Sequence, residues 1–366
     1  MDRARIVAGV LLLCLCVPSA SSAPAASVAA APPVVRFADD TQPEQRAATD
    51  PLRGPDGWAW QKAGVDLAWG LARGSAGIIV ATIDTGVDSQ HPDLAGALLP
   101  GATFLSSPAA VCADGDADDN AHGTHIAGII GATGAEPAGM RGVAFGVRIL
   151  PIKALDCTGG GATTDIARAI VWATDHGARI VNISLGTPFD SSSLRNAVRY
   201  ALAHDVLVVA AAGNCGVQNG HCAAANAPEY PAAYPGVVAV GATDADDGVL
   251  AFSTRGAQLT LTAPGAQLRS TAPGYPTYLS ARGTPAGYAT LSGTSQSSAF
   301  VSGVAALVWS ARPTLSAAEV FTVLTSTADD LGAPGRDDAY GFGRVNALRA
   351  VQRALRDVAS ETVAIP

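Results

Sequence analysis

Short, unbroken apolar runs alternate with segments of helical period along most of this chain, and no other feature restricts its fold as tightly. The run at 77–83 ends abruptly at Asp84. A strand that is apolar at every position must be covered on both faces, as parallel strands joined by helices are. Residues 147–155, 179–185, 206–212 and 237–241 read as further strands of this kind. Residues 163–176, 191–204 and a stretch from Ser295 to about Ser310 read as helices, and a helical period with a small-residue face follows His122. Repeated βαβ units predict an α/β fold: a mostly parallel central sheet with helices on both faces and active residues at the C-terminal ends of strands. With 40 glycines, 15% charged residues and 5% aromatics in 366 residues, the composition suits one large domain with many tight turns.

The ends of the chain read differently. Residues 1–23 have the form of a secretory signal, with Arg3 and Arg5, an apolar run at 6–17, and Ala20-Ser21-Ser22-Ala23 for cleavage. The run is shorter than the roughly 20 apolar residues of a spanning helix, so the expectation is a secreted protein with no stable membrane span. A lipid anchor at Cys14 or Cys16 is the competing reading, but Leu13 and Leu15 are not the small residues such processing uses. Residues 24–57 are rich in Ala, Pro and charge without a period, as in a flexible extension or short propeptide. One domain is expected over 58–355, with a tail at 356–366. A net charge of −8 and the lack of a basic patch argue against nucleic acid as a partner.

Three short motifs stand in the order Asp, His, Ser: Asp84-Thr85-Gly86-Val87-Asp88, His122-Gly123-Thr124-His125 and Gly293-Thr294-Ser295. A serine hydroxyl is a weak nucleophile until a histidine takes its proton. The histidine in turn needs a carboxylate to fix its tautomer and stabilise the imidazolium. A lone Asp in a Gly turn would read as a turn cap and a lone Ser at a helix start as an N-cap; three motifs in order override both. On these motifs the chain resembles the subtilase family of serine peptidases, whose chain order is Asp, His, Ser. The resemblance runs from about Trp58 to Val351 and includes the closing segment Gly341-Phe342-Gly343-Arg344-Val345-Asn346-Ala347.

The resemblance implies a subtilisin-like sheet in a single catalytic domain, with Ser295 as nucleophile, His122 as general base and Asp84 as its carboxylate. It also implies Asn214, in Ala211-Ala212-Gly213-Asn214, as the oxyanion-hole amide. His125, one turn beyond His122, is expected to be a packed, hydrogen-bonded neighbour. No cofactor is expected for catalysis. Polypeptide substrate would lie extended between Ser184-Leu185-Gly186 and Thr158-Gly159-Gly160-Gly161, with main-chain hydrogen bonds for affinity and pockets for specificity. Gly159, Gly160 and Gly161 let a backbone approach closely, although a flexible loop would show the same glycines. Aligning Tyr230-Pro231 and Tyr234-Pro235 with the family puts Glu229 at a wall of the S1 pocket, opposite Ser184 to Gly186 and Ala211, Ala212 and Gly213. A carboxylate there would favour a P1 Arg or Lys, unless it turns to solvent or is held by an arginine.

Beyond Cys14 and Cys16, an even set of four cysteines remains, Cys112, Cys157, Cys215 and Cys222, which predicts two disulfides in an exported chain. Three connectivities exist. Cys215 and Cys222 flank one short loop, the natural local pair, and Cys112 with Cys157 follows; similar subtilases also place one cysteine before the His motif and another after the following strand. A metal site would compete, but no CxxC spacing supports it. Asp114, Asp116 and Asp118 alternate just before His122, hard oxygen ligands of the kind that hold a structural calcium. The resemblance adds Asp93, in Asp88-Ser89-Gln90-His91-Pro92-Asp93, as a separate calcium ligand, and a solvated acidic loop is the alternative. After Ser295 the chain departs from the family's usual Met-Ala-Ser/Thr-Pro-His and reads Gln296-Ser297-Ser298-Ala299-Phe300, which alters the helix start behind the serine.

The expectation is therefore a secreted, monomeric endopeptidase acting on extended polypeptides. A narrow processing or peptide-transferring enzyme is the second reading. An inactive binding protein is disfavoured because no catalytic position is lost, and an α/β-hydrolase esterase because Gly293-Thr294-Ser295-Gln296-Ser297 lacks the second Gly of that fold's nucleophile elbow.

Overall fold

A computed structural model describes Val10–Leu12 and residues 57–361, apart from 107–108, 110–111, 113–114, 116, 135–138 and 218–221. The leader at 1–23 and the extension at 24–57 thus lie outside the described residues, save for Val10–Leu12 and Gly57. In chain order the elements are β1 (Val10–Leu12), α1 (Trp58–Lys62), α2 (Val65–Ala68), β2 (Ile79–Asp84), β3 (Ala102–Thr103) and α3 (His122–Gly131). There follow β4 (Arg148–Lys153), β5 (Gly160–Ala162), α4 (Thr163–Asp175), β6 (Ile180–Ile183), α5 (Ser192–Ala203), β7 (Leu207–Ala211) and β8 (Val238–Thr243). The chain closes with β9 (Leu261–Pro264), β10 (Leu268–Thr271), β11 (Tyr288–Leu291), α6 (Thr294–Ala311), α7 (Ala317–Ser326) and α8 (Ala347–Glu361).

Seven strands form one sheet in the order β3-β4-β2-β6-β7-β8-β9, and every neighbouring pair is parallel. Alternate residues of each strand enter different cores, as the two-residue period of a strand requires. Val80, Leu207, Val209, Val238 and Val240 pack with α3, α6 and α8, while Ala81, Ile83, Val208, Ala210 and Ala239 pack with α4 and α5. That two-sided burial is the reason the strands read as continuous apolar runs. After β2 the chain places β4 on one side and β6 on the other, so the C-terminal end of β2 is a switch point of the sheet, where α/β proteins open a crevice. Asp84 is the last residue of β2.

Helix α6 runs beneath the sheet with Thr294 through Trp309 all buried. A helix apolar or small on all sides belongs in an interior. The elements the sequence pattern did not signal are short or peripheral: β1, α1, α2, β3, β5, β9, the antiparallel pair β10–β11 (Leu268 opposite Leu291), α7 and the C-terminal α8. Helix α8 continues to Glu361, past the boundary at 355 expected from sequence.

One contact tests how α6 is held. A Cβ added to Gly303 would meet Val143 Cβ at 2.5 Å, an atom fixed to the backbone that cannot swing aside. Alanine's helix preference over glycine, about 1 kcal/mol, is outweighed by overpacking of about 1–3 kcal/mol in a dense core. Gly303→Ala is expected to lower the melting temperature; a melting temperature at or above wild type would contradict this account of the packing.

Candidate active site

Asp84 and His122 meet because β2 ends where α3 begins. His122 Nδ1 lies 2.8 Å from Asp84 Oδ1, and both side chains are buried. The Thr85 N–H also donates to Asp84 Oδ1, at 2.8 Å. With Nδ1–H donating to the carboxylate, Nε2 is left as the acceptor, and it has no hydrogen-bond partner among the described residues. Close packing brings the two elements together: a Cβ on Gly123 would stand 2.0 Å from Gly86 O and 3.2 Å from Asp84 Cβ.

A second buried carboxylate organises the same junction. Asp118 Oδ1 accepts from Thr85 Oγ1 and from the N–H groups of Asn120 and Ala121, and Oδ2 accepts from the Thr124 N–H and hydroxyl. Thr85 Oγ1 in turn accepts the Gly123 N–H at 3.0 Å. Burial pushes the Asp118 carboxyl above its ordinary value, against the opposing pull of these donors. Lys153, last in β4 and in register with Asp84, donates to Thr85 O, Ala117 O and Asp119 Oδ1. Asn120 accepts the His122 N–H and donates to Cys157 O.

These partners bear on the calcium expectation. Asp118 is wholly buried with both oxygens engaged by protein donors. Asp93 Oδ2 accepts the Met140 N–H and the Tyr288 hydroxyl, both at 2.7 Å. Both carboxylates are thus held in place by protein donors. Asp114 and Asp116 lie outside the described residues.

Ser295 is the second residue of α6, at the end where free N–H groups favour negative charge. Its hydroxyl donates to Ser184 O at 3.0 Å rather than to His122. Asn214 follows β7, and its Oδ1 accepts from the Thr294 N–H and hydroxyl. On one flank of the site, Asp156 shapes the glycine segment: Oδ1 accepts from the Thr158 N–H and hydroxyl and the Gly160 N–H. Gly159 has φ of 84°, which favours glycine, and a Cβ on Gly161 would lie 2.4 Å from Ala154 O. The glycines therefore meet steric demands and are not merely a loose loop. On the other flank Glu229 is 4% exposed, and the Cβ positions of Gly186 and Gly213 would fall 2.5 and 2.3 Å from its Oε2. The reading in which Glu229 turns outward to solvent is not what is found. Disulfides join Cys112 to Cys157 and Cys215 to Cys222, one beside each flank.

Sequence reasoning missed the roles of Thr85, Asn120 and Lys153. Their signal was only adjacency to a motif or to a strand end, which many unrelated residues share.

A histidine with one ring nitrogen held by a carboxylate and the other without a partner among the described residues, on a helix that packs against one whose second residue is a serine, equips an α/β scaffold for serine hydrolase chemistry. The Subtilase family model matches residues 75–343, well over half of the chain, which therefore belongs to that family. It is 38% identical over 292 residues to Thermitase of Thermoactinomyces vulgaris, covering 80% of this chain and 94% of that protein. It is 39% identical over 277 residues to Subtilisin DY of Bacillus licheniformis, covering 76% and 92%. Fervidolysin from Fervidobacterium pennivorans, a keratinolytic enzyme related to subtilisin, superposes with a TM-score of 0.69 at 33% identity. That match covers 81% of this chain and 45% of fervidolysin. The chain is a subtilisin-like serine endopeptidase, and its substrates are polypeptides.

The second histidine of the motif behaves oppositely to His122. His125 is wholly buried, and Nε2 approaches Leu268 O and Ala289 O at 3.1 and 3.2 Å. Burial first, then the neighbouring His122, lowers its pKa to about 3. A depressed histidine contributes stability above its unfolded value near 6.5, and that contribution is lost as pH falls toward 3. Thermal melts of wild type and His125→Gln at several pH values from 7 to 4 should show the gap between them narrowing as pH falls. A gap independent of pH would contradict a neutral, buried His125.

Proposed function

We propose that this protein is a secreted endopeptidase in which Ser295, His122 and Asp84 form the catalytic triad and Asn214 stabilises the oxyanion, through an acyl-enzyme. The observation that carries this is the buried Asp84–His122 pair at 2.8 Å, with His122 Nε2 left without a partner among the described residues. In the reaction the Ser295 hydroxyl leaves Ser184 O, passes its proton to Nε2 and attacks the scissile carbonyl; Asp84 stabilises the imidazolium. The Asn214 amide and the Ser295 N–H receive the oxyanion, a contribution of about 2.7–4 kcal/mol for one such donor. The acyl-enzyme then yields to water by the same groups in reverse, and one chain supplies them all, as suits a monomer.

Extended substrate is held between Ser184-Leu185-Gly186 and Gly159-Gly160-Gly161. Support comes from β1, which lies antiparallel on β5 with Leu11 opposite Gly161: this edge accepts an added strand. Export is supported by the leader at 1–23 and by two disulfides, which persist in oxidising compartments. Among the described residues no helix is long and apolar enough to cross a membrane. The catalytic unit is the domain at 58–355. Structural calcium is assigned to the loop of Asp114 and Asp116, and a chelator is expected to lower the melting temperature.

Ser295→Ala is expected to lower kcat by at least about 10⁴-fold with the melting temperature unchanged, and a serine-directed inhibitor should label Ser295 alone. Labelling at another residue would overturn the assignment. Glu229, buried against Gly186 and Gly213 with Ala212 alongside, gives the S1 pocket a carboxylate for a P1 Arg or Lys. On a P1-varied peptide library, Glu229→Gln should cut the Arg-to-Phe ratio of kcat/KM by about tenfold, one charge-assisted pair; an unchanged ratio removes Glu229 from specificity.

A further inference from the structure

Gln296 follows the serine at a place where the sequence departs from its family, and nothing above gives it work. It is 1% exposed as a residue, yet its amide atoms are not among the wholly enclosed side-chain atoms that lack a partner, so the amide keeps contact with the open side of the site. Its direction shows what it can meet there. The point where a Cβ would stand on Gly293 lies 2.7 Å from Gln296 Oε1, 3.6 Å from Asn214 Nδ2 and 3.7 Å from the Ser295 nitrogen. Gly293 has no side chain to fill this point, and three amide groups converge on it.

We propose that Gln296 is a further catalytic residue, a third oxyanion donor acting with Asn214 and the Ser295 N–H. The proposal rests on the assignment of Ser295 as nucleophile. As Oγ bonds to the carbonyl carbon, the π pair moves onto the carbonyl oxygen and the hydroxyl proton goes to His122 Nε2. A half-turn about the terminal torsion, which is broad and roughly two-fold for glutamine, brings Nε2 to the place Oε1 occupies. The amide then donates to the oxygen while its negative charge lasts. On collapse the pair returns to the carbonyl, the amine leaves with the proton from His122, and Gln296 has given up nothing. Methionine, usual at this place in the family, has no donor to offer.

The test compares wild type with Gln296→Met and Gln296→Glu, each checked for an unchanged melting temperature. Steady-state kinetics and affinity for a peptide aldehyde, which forms a tetrahedral adduct on the serine, are measured for each. Gln296→Met should lower kcat by about tenfold, less than the 10²–10³-fold loss of a principal donor, with KM unchanged and aldehyde affinity falling in parallel. Gln296→Glu keeps the shape but sets a negative charge against the oxyanion, so its loss should exceed that of Gln296→Met. A residue that only fills space would give the opposite order. Serine-dependent hydrolysis left unmoved by both substitutions would overturn the role of Gln296 alone. Wild-type hydrolysis that survives Ser295→Ala would overturn the triad and this proposal together.

Discussion

The carboxylate of Asp118 holds together the junction on which the site depends. It reaches Thr85 at the end of β2 and Asn120, Ala121 and Thr124 around the start of α3, so one buried group fixes the two elements that carry Asp84 and His122. Burying a charge costs several kcal/mol after relaxation, and hydrogen bonds to a charged group return roughly 1.5–3 kcal/mol each. A partial set of donors would leave the junction unstable, whereas five donors make it rigid. That rigidity is what an enzyme needs if the imidazole is to keep one orientation through repeated proton transfers.

Polar groups inside α6 follow the same rule. Ser297 donates to Ala263 O, Ser298 to Ser295 O, and Ser302 to Asn182 Oδ1; Asn182 donates to Ser184 Oγ. These bonds stitch the helix to β6 and β9 directly behind Ser295. The apolar half of α6 supplies burial, and the hydroxyls supply register, so the helix can be buried throughout and still present its first turn at a defined depth. Gln296 instead turns toward Gly293, its Oε1 2.7 Å from where a Cβ on that glycine would stand.

Both disulfides fall next to segments that would touch substrate. Cys157 follows Asp156, whose carboxylate shapes the turn into β5, and the partner Cys112 belongs to the loop ahead of His122. Cys215 follows Asn214, and its sulfur lies 3.1 Å from Glu229 Oε1. Tethering the loops on either flank of a cleft limits the freedom of those loops without adding bulk inside it.

Sequence alone determined the architecture and the chemistry. Strands buried on two faces must be apolar at every position, so β2, β4, β6, β7 and β8 were legible, each to within a few residues. The pairing of Asp84 with His122 was legible because a histidine that moves protons needs a carboxylate to orient it, and each stands in its own glycine setting. The β10–β11 pair was not, being short and dependent on packing against α3. Tertiary structure alone decided which carboxylate serves which end: Asp118, read from an acidic run as an oxygen ligand, is turned inward to Thr85, a residue 33 positions away. It likewise decided that Glu229 lies buried against Gly186 and Gly213, and that Gln296 points at the space beside Gly293. The division follows from range. A strand's period and a motif's spacing are written in neighbouring residues, whereas the direction of a buried polar side chain is set by donors that only the folded chain brings within 3 Å.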